Sequence, residues 1–228
     1  MSEGDALARV GRLAELGLIT ATLAHEQRQP LFAIKSLAQL LQRDAAGEGL
    51  ALVEELLRQV DYLERLVDGI GTYARDVEGD LAPVDVGATV DAAVTLMRHR
   101  AARRGVSVSA TRVPGLPAGL GHPTALMQVI VNLIQNAIDA SPNGGEVTVH
   151  TRLDGDRVLV DVTDQGAGVA AELRERIFEP FFTTKPQGQG TGLGLAISRQ
   201  LVEACQGRLT LVEAERGLVV RIDLQAWS

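Results

Sequence analysis

Gln128, Asn132 and Asn136 stand four residues apart, a spacing that puts all three on one face of a helix. Neutral amides offer oxygens to a hard cation such as Mg2+ without adding charge repulsion beside phosphates, and Mg2+ completes its shell with water and phosphate oxygens. Asp164 follows an alternating apolar stretch and precedes Gly166 and Gly168. A carboxylate at a strand end accepts from the exocyclic amine of a nucleobase, and glycine lets the backbone pass close by. Gly190, Thr191, Gly192, Leu193 and Gly194 then lead into a helical pattern. The first amides of a helix lack internal partners and, with the dipole, favour a phosphate. Thr183, Thr184 and Lys185 follow Phe178–Phe182 and open a short, polar, glycine-rich loop over 183–191. It reads as a mobile lid with the aromatic rings packed beneath it. Singly, each element has a plain alternative: a solvated polar face, an Asp-Gly turn, an exposed lysine. Their order points to a site for ATP with Mg2+.

A second chemistry is offered by His25 beside Glu26. A neutral imidazole attacks phosphorus through one nitrogen while a carboxylate holds the proton on the other. Pro30 has no N–H for the carbonyl of residue 26 and crowds it, which loosens a helix at His25-Glu26. An ordinary surface pair is the alternative. His99, His122 and His150 have no comparable setting and receive no role.

The elements that must carry these residues divide into two regions. Over residues 6–78, Leu13, Leu16, Thr20, Leu23, Gln27, Pro30, Ile34, Leu37 and Leu41 recur in steps of three and four, a heptad seam with polar and proline defects. His25 lies furthest from that stripe. Asp44–Gly49 interrupts it, and a second seam runs through Leu52, Leu56, Val60, Leu63, Val67 and Ile70. Two helices and a short glycine-containing turn make an antiparallel hairpin. A lone hairpin leaves apolar faces open, so a dimeric four-helix bundle is expected, with packing against the rest of the chain as the alternative.

Past Gly79-Asp80 and Pro83 the pattern changes. Asp85 is expected to cap a helix reaching Arg104 and ended by Gly105. A strand over 106–113, a helix over 123–140, and strands over 146–153 and 157–163 about an Asp154-Gly155 turn follow. A helix over 170–177, another over 192–206, and strands over 208–214 and 217–224 complete the region. This is an α+β arrangement, a two-layer sandwich with helices on one face of a mixed sheet.

The composition bounds the class. A chain of 228 residues makes one large or two small domains, and an aromatic content of 3% implies an aliphatic core. A net charge of −7 argues against nucleic acid as a partner. One cysteine, Cys205, permits no internal disulfide and no cysteine-based metal site, and its apolar setting suits a small core residue. No apolar run approaches the roughly 18 residues of a membrane span. Residues Met1–Asp5 lack the layout of a signal peptide.

The segments Asn132–Ala137, Asp164–Gly168 and Gly190–Leu195 resemble the N, G1 and G2 boxes of the Bergerat ATP-binding fold, with Phe178–Phe182 as its F box. Sensor histidine kinases, type II topoisomerases, MutL proteins and Hsp90 chaperones share this fold. The resemblance implies Asn136 as the Mg2+ ligand, Asn132 near the phosphates, and Asp164 on the adenine amine, with Gly166, Gly168, Thr184, Lys185 and residues 190–194 around the nucleotide. Gly217-Leu218-Val219-Val220 departs from the Gly-Thr-x-Phe of many members and touches a minor adenine contact. Hydrolytic members carry a glutamate four residues before the metal-binding asparagine; Asn132 stands there instead.

His25-Glu26-Gln27-Arg28-Gln29-Pro30-Leu31 is similar to the H box of sensor histidine kinases, in the form found in nitrogen-, oxygen- and dicarboxylate-sensing members. The resemblance covers nearly the whole chain. It implies a dimerising phosphoacceptor hairpin over 1–78 and a catalytic ATP-binding domain over 79–228. It further implies autophosphorylation on His25 with Glu26 as general base, and transfer to an aspartate of a response-regulator receiver domain. Gln29 replaces the Thr or Asn that many relatives use to dephosphorylate the regulator. The helical pattern begins close to Met1, so the signal is expected from another protein, or the chain is the cytoplasmic part of a larger sensor. Competing readings are an ATP-binding dimerisation scaffold and a Bergerat-fold serine kinase or ATPase.

Overall fold

A computed structural model describes residues 27–73, 79–186, 190–214 and 216–227. His25, Glu26 and the seam positions before Gln27 lie outside the described residues. Two compact units form: Met1–Asp76 with Glu179–Gly194, and Val77–Phe178 with Leu195–Ser228.

In the first unit, α1 (helical over 27–44) and α2 (Glu48–Tyr73) are joined through a turn in which Gly47 adopts a positive φ of 56°. Glycine accepts that conformation without a Cβ clash. The hairpin closes on Leu31, Ala38 and Val60, all buried. Arg28 bonds Asp68 at 2.6 Å, and Lys35 holds Asp61 at 2.8 Å and Glu64 at 2.6 Å. These pairs fix which turns of the two helices stand opposite each other. The described seam residues Ile34, Leu37 and Leu41 of α1 stay exposed in the single chain, as do Leu52, Leu56 and Leu63 of α2.

The second unit is the α/β sandwich. Its elements are β1 (Ala82–Val84), α3 (Val86–Arg103), β2 (Ser107–Arg112), β3 (Gly119–Gly121), α4 (Pro123–Ala140), β4 (Glu146–Asp154), β5 (Arg157–Thr163), α5 (beginning at Gly194 and ending at Ala204), β6 (Arg208–Val212) and β7 (Val219–Gln225). Five strands run in the order β2-β4-β5-β7-β6; β2 is parallel to β4 and the remaining neighbours are antiparallel. Asp85 caps α3, its Oδ1 accepting from the amide of Ala88 at 2.9 Å, and Gly105 ends it at a φ of 65°.

Alternation along β4, β5 and β7 puts Val147, Val149, Val160, Val162, Ile222 and Leu224 on the buried face. They meet Val90, Val94 and Met97 of α3 and Leu126, Ile130, Leu133 and Ile134 of α4, also buried. The other face is ionic. Arg221 grips Asp161 with two bonds, of 2.6 and 2.8 Å, and Arg157 holds Asp223 at 2.6 Å.

Thr151 breaks the apolar pattern of β4. Its residue is wholly buried and its hydroxyl has no hydrogen-bond partner. Leaving a buried hydroxyl unsatisfied carries a desolvation penalty, and valine has nearly the same shape. Thr151→Val is therefore expected to stabilise the chain by about 1 kcal/mol, read as a higher midpoint in denaturant with an unchanged slope.

Several sequence expectations are corrected. The helix expected over 170–177 is two 3-10 turns, Ala171–Leu173 and Arg176–Phe178, because only Ile177 is buried and so short a segment has no apolar face to hold a helix. The last helix begins at Gly194 rather than Gly192, whose φ of 68° is not helical. Strands β1 and β3, three residues each, were too short to show alternation. The final strands shift by up to two residues, to 208–212 and 219–225.

Candidate active site

Helix α4 presents the amides as the spacing requires. Gln128 is exposed, while Asn132 and Asn136 are half-buried at the edge of the apolar stripe. Asn132 donates from Nδ2 to the hydroxyl of Ser198 on α5 at 2.8 Å. An open groove of about 680 Å3 runs along α4 from Pro123 to Gln135 and takes in Asn132.

At the end of β5, Asp164 is buried to 5% exposure. Its Oδ1 accepts from the amide of Gly166 at 2.8 Å and from that of Leu218 at 3.3 Å. Burial pushes the carboxyl above its ordinary pKa, against the pull of those two amides. The glycines around it are there for space. A Cβ on Gly166 would lie 2.7 Å from the carbonyl oxygen of Ala140 at the end of α4, and one on Gly168 would lie 2.9 Å from that of Gly217. A Cβ on Gly217 would run into the backbone of Asp164. Thus Asp164, Gly166, Gly168, Gly217 and Leu218 are brought together, and α4 ends beside them. Gly217 and Leu218 belong to this cluster although the sequence marked them only as a departure.

Thr184, Lys185, Gly190, Thr191, Gly192, Leu193 and Gly194 belong to the hairpin unit. Thr183 Oγ1 accepts from the Lys185 amide at 3.1 Å, and Thr191 Oγ1 from that of Leu193 at 3.4 Å. A Cβ on Gly190 would sit 2.6 Å from Thr183 Oγ1, and one on Gly192 would collide with the Phe181 backbone. Leu193 is buried; a Cβ on Gly69 of α2 would come within 2.9 Å of its Cδ1, so the absence of a side chain there admits the leucine. Phe181 corrects the expectation of aromatic rings packed under a lid. It is 61% exposed with a φ of 66°, because its backbone rather than its ring lies against Gly192. Phe178 is half-buried beneath the Arg199 guanidinium, 5.5 Å from the ring centre.

Among the described residues no group of three or more His, Cys, Asp or Glu side chains gathers to hold a metal. A cation at α4 would rely on amide oxygens and on what its ligand brings, which suits Mg2+ bound with a nucleotide. Among the same residues no helix is long and apolar enough to cross a membrane.

A helical hairpin followed by a one-sided α/β sandwich with an asparagine helix and glycine-flanked aspartate defines a class, and comparison with known proteins meets it in both parts. Residues 15–79 match the His Kinase A (phospho-acceptor) domain, and residues 121–227 match the histidine kinase-, DNA gyrase B-, and HSP90-like ATPase family. The sensor histidine kinase ZraS of Klebsiella oxytoca is 37% identical over 208 residues, 90% of this chain and 45% of its own. Among solved structures, full-length ShkA in complex with AMPPNP superposes with a TM-score of 0.72 at 33% identity, over 91% of this chain and 45% of that one. The mycobacterial sensor histidine kinase MprB gives 0.57 at 30% identity, over 64% of this chain and 97% of that one. The chain belongs to the sensor histidine kinase family. It spans about 45% of the length of its ZraS relative.

Proposed function

We propose that this chain transfers the γ-phosphoryl group of ATP to its own His25 and then to an aspartate of a response-regulator receiver domain. The observation that carries the reading is Asp164. It is buried at a strand end, and both hydrogen bonds that its carboxylate accepts from backbone amides fall on Oδ1. Oδ2 is then the acceptor for the adenine amine.

Asn136 would hold Mg2+ through its amide oxygen with Asn132 near the phosphates, and Thr184, Lys185 and the amides of 190–194 are further nucleotide contacts in this reading. Bound Mg2+ would supply charge neutralisation on the phosphates. Such transfer asks little covalent work of the protein; alignment and charge neutralisation supply most of the acceleration. Asn132 stands where a water-activating glutamate would favour hydrolysis, so the acceptor is a protein nucleophile. Glu26 takes the role of general base on the imidazole. Residues 1–78 act as the phosphoacceptor domain and 79–228 as the catalytic domain. The exposed line of Ile34, Leu37, Leu41, Leu52, Leu56 and Leu63 supports a homodimer closed as a four-helix bundle. The kinase is further proposed to act in the cytoplasm.

Incubation with γ-labelled ATP and Mg2+ tests this directly. An acid-labile, alkali-stable label on the chain, which then moves to a receiver domain, is expected. ATP binding without label would sink the kinase reading in favour of an ATP-binding scaffold.

A further inference from the structure

Helix α5 turns an apolar face to the core, with Ala196, Ile197, Leu201 and Val202 buried. Ser198 lies on that face at 1% exposure. Small apolar residues fill such a position without penalty, whereas a hydroxyl there must be bonded. Its partner is the Asn132 side chain, 66 residues away in sequence, at 2.8 Å.

The bond decides what Asn132 shows to a ligand. A free asparagine amide presents a donor edge or an acceptor edge with equal ease. With Nδ2 drawn to Ser198, the planar amide must turn Oδ1 away from α5. The acceptor edge is the one that suits a cation or its bound water; the donor edge would suit a phosphate oxygen.

We propose that Ser198 is a positioning residue for the nucleotide reaction, holding Asn132 with its carbonyl oxygen toward the Mg2+–phosphate end of the site. This rests on the nucleotide reading above, and it adds a residue on a second helix that sets the polarity of the asparagine. Ser198 touches no reacting group; it acts through Asn132.

The test separates the two ends of the ligand. Binding of Mg·ATP and of adenosine is measured by calorimetry for the native chain, Ser198→Ala, Ser198→Cys, Asn132→Ala and the Ser198→Ala/Asn132→Ala double variant. Cysteine keeps the shape with a slightly larger atom and supplies only a weak acceptor, while alanine is smaller, so a loss common to both variants reports the hydrogen bond rather than packing. Ser198→Ala and Ser198→Cys are expected to weaken Mg·ATP by roughly three- to tenfold, the worth of one hydrogen bond, and to leave adenosine unchanged. In the Asn132→Ala background, Ser198→Ala should add nothing, because the bond is already gone. Equal losses for both ligands, no loss in either serine variant, or full additivity in the double variant would overturn the proposal. A native chain that binds Mg·ATP no better than adenosine would instead overturn the nucleotide reading beneath it.

Discussion

His25→Gln abolishes labelling from γ-labelled ATP, with a fall of at least about a hundredfold, while Mg·ATP binds as tightly as to the native chain. Glutamine keeps a polar side chain of similar reach and a good helix propensity, so it removes the nucleophile with little other change. The separation of binding from transfer is the informative part. Asp164, Asn132 and Asn136 all lie on the sandwich unit, and the residue change is on the hairpin. Glu26→Gln in the same assay slows labelling by about a hundred- to ten-thousandfold if its carboxylate is the base, and keeps the acceptor in place. Label that persists in His25→Gln would move the acceptor to another residue.

Asp164→Asn lowers affinity for ATP by about ten- to a hundredfold, since a hydrogen bond to a charged acceptor is the stronger kind. The same change raises the thermal stability of the nucleotide-free chain at neutral pH. Asparagine keeps an oxygen for the amides of Gly166 and Leu218 and removes a buried charge. Burial raises the Asp164 pKa in the folded chain above its unfolded value, so the folded state holds the proton more tightly. The native chain then loses stability as pH rises from the unfolded value through the raised one. Above that window the variant is more stable, and below it the difference vanishes. ATP affinity of the native chain moves oppositely, falling as acid protonates the acceptor at a pH higher than an ordinary aspartate would set. Melting curves and binding isotherms at several pH values read both slopes. An Asp164→Asn chain that is less stable at neutral pH would show that the carboxylate is needed for the fold.

The residues of the candidate site were legible in the sequence where chemistry and period coincide. Asn132 and Asn136 keep helical spacing beside Leu126, Ile130 and Leu133, and Asp164 ends the alternation of Val158, Val160 and Val162, all buried as the pattern demands. The capping carboxylate of Asp85 and the left-handed Gly105 were legible for the same reason: one residue type answers one local need. What stayed hidden is what depends on distant pairing. The parallel match of Ser107 with Glu146 leaves no mark in either strand, since parallel and antiparallel neighbours share the same alternation. Leu218 contributes a backbone amide, which carries no side-chain signature. Ser198 did leave a trace, as a polar residue at a core phase of α5, but its partner could not be chosen without the fold. Phe181 misled because a large apolar residue reads as buried, whereas the backbone packing at Gly192 turned its ring outward.

The ionic face of the sheet shapes the domain as a whole. A sheet with two oily sides needs covering twice; this one has already settled its second side with Arg221–Asp161 and Arg157–Asp223, each cation matched to an anion across neighbouring strands. Positive and negative charges alternate at close range, so their fields largely cancel within a Debye length. To an approaching molecule that side is a wetted, nearly neutral wall with little to grip. Recognition by this domain is thereby left to its helical side and its rims.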